Sequence, residues 1–285
     1  MHNIRFIPEN FGHCISALSV PQDWGRQFMH IEKLRNLGLT GKGVKVAIID
    51  TGKYNHPDID PPFAFHNFTT DNNENDNNGH STHIAGIIAG RDDGIGVSGI
   101  APGSSVLIAK ALNDAGTCPM DCKWLINAIR WCDRMDVDII NMSLGSELEL
   151  PEEFHKVIIR SNSIIIAASG NEGSSKINYP ANWNGVISVG SCENTGECAS
   201  YSNYGDNLTV VAPGSDIYST WLGGTYKLES GTSMAAPMIS GILALLIEHH
   251  RNNHEVINRN HAVETIKTLV DTETKIIDLN KFEGE

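Results

Sequence analysis

Ser233 has the most chemistry to offer. It stands in Gly231-Thr232-Ser233-Met234-Ala235-Ala236-Pro237, where a loop of small residues runs into an apolar stretch, Met238 to Ile247. Gly231 permits a sharp turn, and the stretch reads as a buried helix. A serine at that junction has its hydroxyl beside orphan backbone N–H groups and the positive end of a helix dipole. That suits a nucleophile whose attack creates an oxyanion; it also suits a plain helix N-cap. Asp50 closes the β-branched run Val44 to Asp50, and His80 opens an apolar, small-residue helix just after Gly79. Taken singly, these read as an aspartate bonded to its own turn at Thr51 and Gly52, and as a capping histidine. In a parallel sheet, however, strand ends and helix starts meet on one edge, and that edge is where ligands bind. An orienting acid, a base and a nucleophile together are the parts of an acyl-transfer site.

The elements that must hold these residues follow from the apolar pattern. Strands are predicted at Val44 to Asp50, Ser105 to Leu112, Val137 to Leu144, Ser163 to Ser169, Val186 to Gly190 and Leu208 to Ala212. Helices are predicted at Ile31 to Leu39, His80 to Gly90, Trp124 to Arg134 and Glu152 to Arg160, with a surface helix at Ala262 to Leu269. Apolar strands alternating with helices predict an α/β domain: a mostly parallel central sheet with helices on both faces. No linker divides the chain, so residues 21–285 read as one domain behind an N-terminal extension, residues 1–20, in which Pro8 breaks regular structure. The polar run Asp71 to Asn78 predicts a solvated surface loop.

Composition narrows the class. Hydrophobic residues at 40% and charged residues at 19% are a globular balance. A net charge of -13 argues against nucleic acid or an anionic membrane as partner. No apolar stretch of membrane-spanning length is expected, and Met1 to Pro21 lacks the apolar core of a secretory signal. Either the protein is cytoplasmic or a signal has been removed, and the initiator-like Met1 favours a cytoplasmic protein. A chain of this size needs no disulfides, so reduced cysteines are the default. Cys118 and Cys122, and Cys192 and Cys198, are close pairs that could bridge in oxidising surroundings. Neither pair has zinc-ribbon spacing.

Four stretches together resemble the subtilisin-like serine proteases (subtilases): VAIIDTG around Asp50, GHSTHIAG around His80, ASGNEG around Asn171 and GTSMAAP around Ser233. NMSLG, YPA and VAPG add to the likeness, and the order Asp, His, Ser is that family's. The resemblance implies a three-layer subtilisin-like fold and serine endopeptidase activity through an acyl-enzyme. Ser233 would be the nucleophile, His80 the base, Asp50 the orienting acid and Asn171 the oxyanion donor. His83 would sit behind the base. Ser143, Leu144 and Gly145 would pair with substrate backbone, with Asp114 to Lys123 as the opposite rim. Ala168, Ser169 and Gly170 would wall the primary specificity pocket, with Asn178 and Glu172 at its base and rim. Small walls imply cleavage of proteins or peptides after bulky apolar residues.

Asp58 and Asp93 match positions that hold calcium in many subtilases. Ile4-Arg5-Phe6-Ile7-Pro8 is similar to the N-terminal segment of the intracellular subtilisins, which implies an inhibitory segment at Phe6, Ile7 and Pro8, a precursor, and for that subgroup a homodimer. Ser81 departs from the pattern: it stands where the family has glycine, and it is expected to crowd the turn beside the base. The competing reading is a catalytically silent subtilase fold that serves as a binding module.

Overall fold

The computed structural model describes residues 24–283, and the backbone of residues 4–6 and 14–15 ahead of them. Two short strands come from the N-terminal extension, β1 (Ile4–Phe6) and β2 (Cys14–Ile15). Two short helices, α1 (Trp24–Phe28) and α2 (Glu32–Arg35), lead into β3 (Lys45–Asp50). Then come β4 (Ala64–Asn67), α3 (His80–Ala89), β5 (Ser105–Lys110), β6 (Thr117–Cys118) and α4 (Lys123–Arg134). The middle of the chain forms β7 (Ile139–Met142), β8 (Leu144–Gly145), α5 (Glu152–Arg160), β9 (Ile164–Ala168) and β10 (Val186–Cys192). The last part forms β11 (Val210–Pro213), the hairpin β12 (Ile217–Trp221) and β13 (Thr225–Glu229), then α6 (Thr232–Asn252) and α7 (Arg259–Thr268).

A seven-stranded sheet of order β11-β10-β9-β7-β3-β5-β4 forms the middle layer, and each of its pairs is parallel. Successive side chains of a strand point to opposite faces, and the core divides accordingly. Val46 and Ile48 join the apolar cluster of α3 and α6, while Ala47 and Ile49 join the cluster of α4 and α5. The expected α/β sandwich is therefore present. The same alternation points Asp50 to the side of Val46 and Ile48, the face that carries α3. Ile48 is fully buried, and cutting it to alanine should cost about 2–5 kcal/mol.

Several elements differ from the sequence reading. The run Ile31 to Leu39 makes only the short α2 followed by turns. The predicted strand Val137 to Leu144 is two strands, β7 and β8, which separate at Ser143 and join different sheets. Strand β4 and the β12–β13 hairpin escape the apolar pattern because their residues are mixed and partly exposed. Helix α6 begins at Thr232, well before the apolar run. It is long and apolar enough to cross a membrane, contrary to expectation, but 94% of that stretch is buried inside the protein. Its apolarity comes from packing on β7, β9, β10, β11 and α3.

Two small sheets flank the site face. One has the order β6-β1-β8: residues 4–6 run antiparallel between the two rim strands, with Ile4 opposite Cys118, Arg5 opposite Thr117 and Gly145, and Phe6 opposite Leu144. The other joins β12, β13 and β2. Ile7 and Pro8 lie outside the described residues.

Candidate active site

Three elements deliver the acid, the base and the hydroxyl to one edge of the sheet. Asp50 is the last residue of β3, His80 the first of α3, and Ser233 the second of α6. Helix α3 packs against both β3 and α6. The N-cap of α6 is Gly231, so Ser233 is not a cap. Gly79 precedes His80 with φ +101, and a Cβ there would strike the Trp221 ring; only glycine lets the helix start that close to β12.

The His80 Nδ1–H donates to the Asp50 carboxylate, at 2.9 Å from Oδ1 and 3.0 Å from Oδ2. Both residues are buried. Thr51 N–H donates to Asp50 Oδ1 at 2.7 Å and fixes the carboxylate. Burial works against a charged His80 ring, but the charge and hydrogen bond of Asp50 outweigh it, with Asp76 and Glu229 adding, so the His80 pKa is raised. Aspartate therefore both selects the tautomer and stabilises the imidazolium.

Ser233 Oγ donates to the Ser143 carbonyl at 3.2 Å. Asn171 Oδ1 accepts the Thr232 N–H at 2.9 Å and the Thr232 hydroxyl at 2.8 Å. Those two donors fix the amide's orientation. Its Nδ2 is left buried without a hydrogen-bond partner among the described residues. A buried donor held with no acceptor can serve a negative oxygen that appears only during a reaction.

Beside Asn171, a Cβ at Gly170 (φ +117) would meet Asn178 Nδ2 and Glu172 Oε2, both at 2.7 Å. Ser169 accepts the Asn178 N–H on its carbonyl at 2.8 Å, and Ala168 ends β9. Glu172 Oε2 takes hydrogen bonds from Asn178 at 3.1 Å and Asn203 at 2.6 Å. The structure thus brings together the residues assigned to the specificity pocket. Leu144 and Gly145 form β8 and pair with β1, and Ser143 precedes them.

Asp76 is the residue that sequence reasoning missed. Its loop reads as solvated, yet Asp76 is buried. Its Oδ1 accepts from the Thr51 hydroxyl and the Asn78 and Gly79 N–H groups. Its Oδ2 accepts from the Thr82 N–H and hydroxyl. One carboxylate thus ties the turn after Asp50 to the start of the helix that carries His80. Asp76 lies three residues ahead of the N-cap, Gly79, outside the position at which an aspartate signals a helix start. Lys110, in register with Asp50, is also buried; its ammonium donates to the Thr51 carbonyl and to Asp114.

Ser81 takes ordinary helical backbone inside α3, and its N–H donates to Thr51 Oγ1 at 3.2 Å. Its hydroxyl is buried without a partner among the described residues.

Asp58 is buried, and Oδ2 accepts the Val97 N–H at 2.7 Å and the Tyr226 hydroxyl at 3.3 Å. Burial pushes its carboxyl up to about 6 despite those bonds, with the nearby Asp93 adding to the rise. A cation beside Asp58 would relieve that penalty. Among the described residues, no three His, Cys, Asp or Glu side chains converge as a metal site. Cys118, Cys122, Cys132, Cys192 and Cys198 are all free thiols.

Residues 41–281 match the Subtilase family. The chain is 36% identical over 259 residues to Subtilisin Savinase of Lederbergia lenta, covering 90% of this chain and 94% of that one. It is 36% identical over 270 residues to the major intracellular serine protease of Bacillus subtilis, covering 89% and 79% respectively. It is 35% identical over 272 residues to M-protease of Shouchella clausii, covering 94% and 70%.

Proposed function

Because the chain belongs to the subtilase family of serine proteases, we propose that Asp50, His80, Ser233 and Asn171 hydrolyse peptide bonds through an acyl-enzyme. The observation that carries this reading is the buried Asp50–His80 hydrogen bond on the sheet edge that also holds Ser233. The Ser233 hydroxyl turns from the Ser143 carbonyl to His80, which takes its proton as Oγ attacks the scissile carbonyl. The oxyanion is met by the Asn171 amide and the Ser233 N–H. His80 then gives the proton to the leaving amine, and water repeats the sequence on the ester. Labelling by a fluorophosphonate reagent, abolished in Ser233→Ala, tests this; an unlabelled wild-type chain would favour the binding-module reading instead.

The finer parts of the reading have separate supports. The small side chains of Ala168, Ser169 and Gly170 favour a bulky apolar residue before the cut. Peptides ending in Phe, Lys or Glu test it, and a preference for Lys or Glu overturns it. Residues 4–6 lie between the rim strands β6 and β8, in the place a substrate strand would take, which supports a precursor inhibited by its own N-terminal segment. Deleting residues 1–18 should raise activity; unchanged or lower activity would sink the idea. Asp58 and Asp93, with loop carbonyls, would hold calcium, whose contribution is stability of the loop around Asp58. EDTA should then lower the melting temperature. The name of the Bacillus subtilis relative favours a cytoplasmic enzyme. A homodimer is read from the same subgroup, and size-exclusion chromatography tests it.

A further inference from the structure

Helix α6 contains Pro237 in its second turn. Proline has no N–H, so the carbonyl four residues earlier loses its helical donor. That carbonyl belongs to Ser233, which is fully buried. A buried carbonyl without a donor is costly, and the structure supplies one from another element: Ser143 Oγ donates to Ser233 O at 2.8 Å.

A serine hydroxyl has one proton, so its direction must be set. Asn141 Nδ2 donates to Ser143 Oγ at 3.0 Å, which leaves the Ser143 proton to point at Ser233. The Asn141 amide is itself oriented by Ser240 Oγ, whose single proton has Asn141 Oδ1 at 2.9 Å as its nearer acceptor and the Ala236 carbonyl at 3.1 Å as the other. Ser240 lies two turns along the same helix, and Asn141, Ser143, Ser233 and Ser240 are all fully buried. The path leaves α6 at Ser240, crosses β7, and returns to α6 at the nucleophile. Residue 143 holds the carbonyl and the hydroxyl of Ser233, since its own carbonyl accepts the Ser233 hydroxyl. It also sits between β7 and β8, where the cleft edge begins.

We infer that Asn141 and Ser143 are positioning residues: their side chains replace the bond that Pro237 removes and so fix the backbone of Ser233 from the cleft edge rather than from its own helix. This rests on Ser233 being the nucleophile. The consequence is specific. Restoring an N–H at position 237 should make the Ser143 hydroxyl dispensable.

The test compares Ser143→Ala, Ser143→Thr, Pro237→Ala and the double variant Ser143→Ala/Pro237→Ala in the full chain, by peptide hydrolysis and by urea unfolding. Ser143→Ala should lower kcat about tenfold, the size of one hydrogen bond, and change KM by less than about twofold. Ser143→Thr, which keeps the hydroxyl, should recover most of that loss. In the Pro237→Ala background the loss should shrink to less than about threefold, and the drop in urea midpoint should shrink with it. A loss confined to KM, or equal losses in both backgrounds, overturns the inference. If Pro237→Ala does not fold, failure of Ser143→Thr to recover kcat overturns it alone. Failure of wild-type Ser233 to react with a fluorophosphonate would count against the protease reading only, and the urea cycle would still decide the bond.

Discussion

His80 and His83 lie one turn apart on α3, both buried, and the protein moves their pKa values in opposite directions. Burial disfavours the charged form of each. His80 faces the Asp50 carboxylate, whose charge and hydrogen bond overcome burial and leave its pKa raised. The ring of His83 meets backbone carbonyls instead: its Nε2–H is shared between Lys227 O at 3.0 Å and Ile217 O at 3.1 Å. Burial outweighs the Glu229 charge and, after it, the hydrogen bonds to the carbonyls, and His83 falls to about 4. Three residues of displacement along a helix separate a ring that can carry a proton from one that stays neutral. The difference lies in the hydrogen-bond partner: His80 bonds a carboxylate, whereas His83 bonds two carbonyl dipoles and feels a carboxylate, Glu229, only through its charge.

The linkage signs are therefore opposite. The stability from His80 is complete below its unfolded pKa of about 6.5 and is lost as pH rises through its elevated folded pKa. The stability from His83 is complete above about 6.5 and is lost as pH falls toward about 4.

The largest test removes His80. His80→Ala should lower kcat about a million-fold, the loss known for the corresponding histidine of subtilisin. A residual rate as high as that of His83→Ala would mean that the two rings have been assigned the wrong way round.

Next comes the charge that separates them. Asp50→Asn should lower kcat about ten-thousand-fold at neutral pH. Activity requires neutral His80, so wild-type activity should fall as pH drops through a value above the ordinary histidine pKa, and Asp50→Asn should move that limb downward. A limb that stays in place would show that Asp50 is not what raises His80. A smaller effect is expected at Asp76, which bonds Thr51 beside Asp50 and Thr82 beside both histidines. Asp76→Asn keeps the size but not the five-fold acceptance. It should cost about tenfold to a hundredfold in kcat, through misplacement of His80 rather than loss of a reacting group. An unchanged pH–rate profile and an unchanged kcat would reduce it to a loop staple.

Much of this site was legible in the sequence, and the parts that were not share a cause. Asp50, His80 and Ser233 announce themselves because each stands where an apolar run begins or ends, and such boundaries are strong local signals. Asp76 was hidden because its neighbours are polar: Asn72, Asn73, Glu74 and Asn75 make the run look solvated, and only contacts with Thr51 and Thr82 bury it. The break at Ser143 was hidden because NMSLG continues an apolar strand pattern. It is the split between β7 and β8 that frees Ser143 to reach Ser233, and that split is set by pairing with distant strands. The role of Pro237 was equally invisible, since a proline in a helix shows what it removes and not what replaces it. Strand β4 and the β12–β13 hairpin fell below detection because partly exposed strands carry mixed sequences.

The smallest expected effect on catalysis falls on His83, and it is the one that separates folding from chemistry most cleanly. His83→Gln retains an N–H donor for the Lys227 and Ile217 carbonyls but cannot take a proton. Its kcat should stay within about tenfold of wild type, since the ring touches no reacting group. Its stability should respond to pH differently. In wild type, the unfolded chain binds a proton at His83 between about pH 6.5 and 4 while the folded chain does not, so unfolding gains about 3 kcal/mol across that window. The Nδ1 atom, buried and without a partner among the described residues, gives the folded state no acceptor with which to stabilise that proton. Urea unfolding at a series of pH values should show wild type losing stability more steeply than His83→Gln below about pH 6.5. Parallel slopes would mean that His83 titrates normally in the folded protein, and the contrast between the two histidines would then rest on His80 alone.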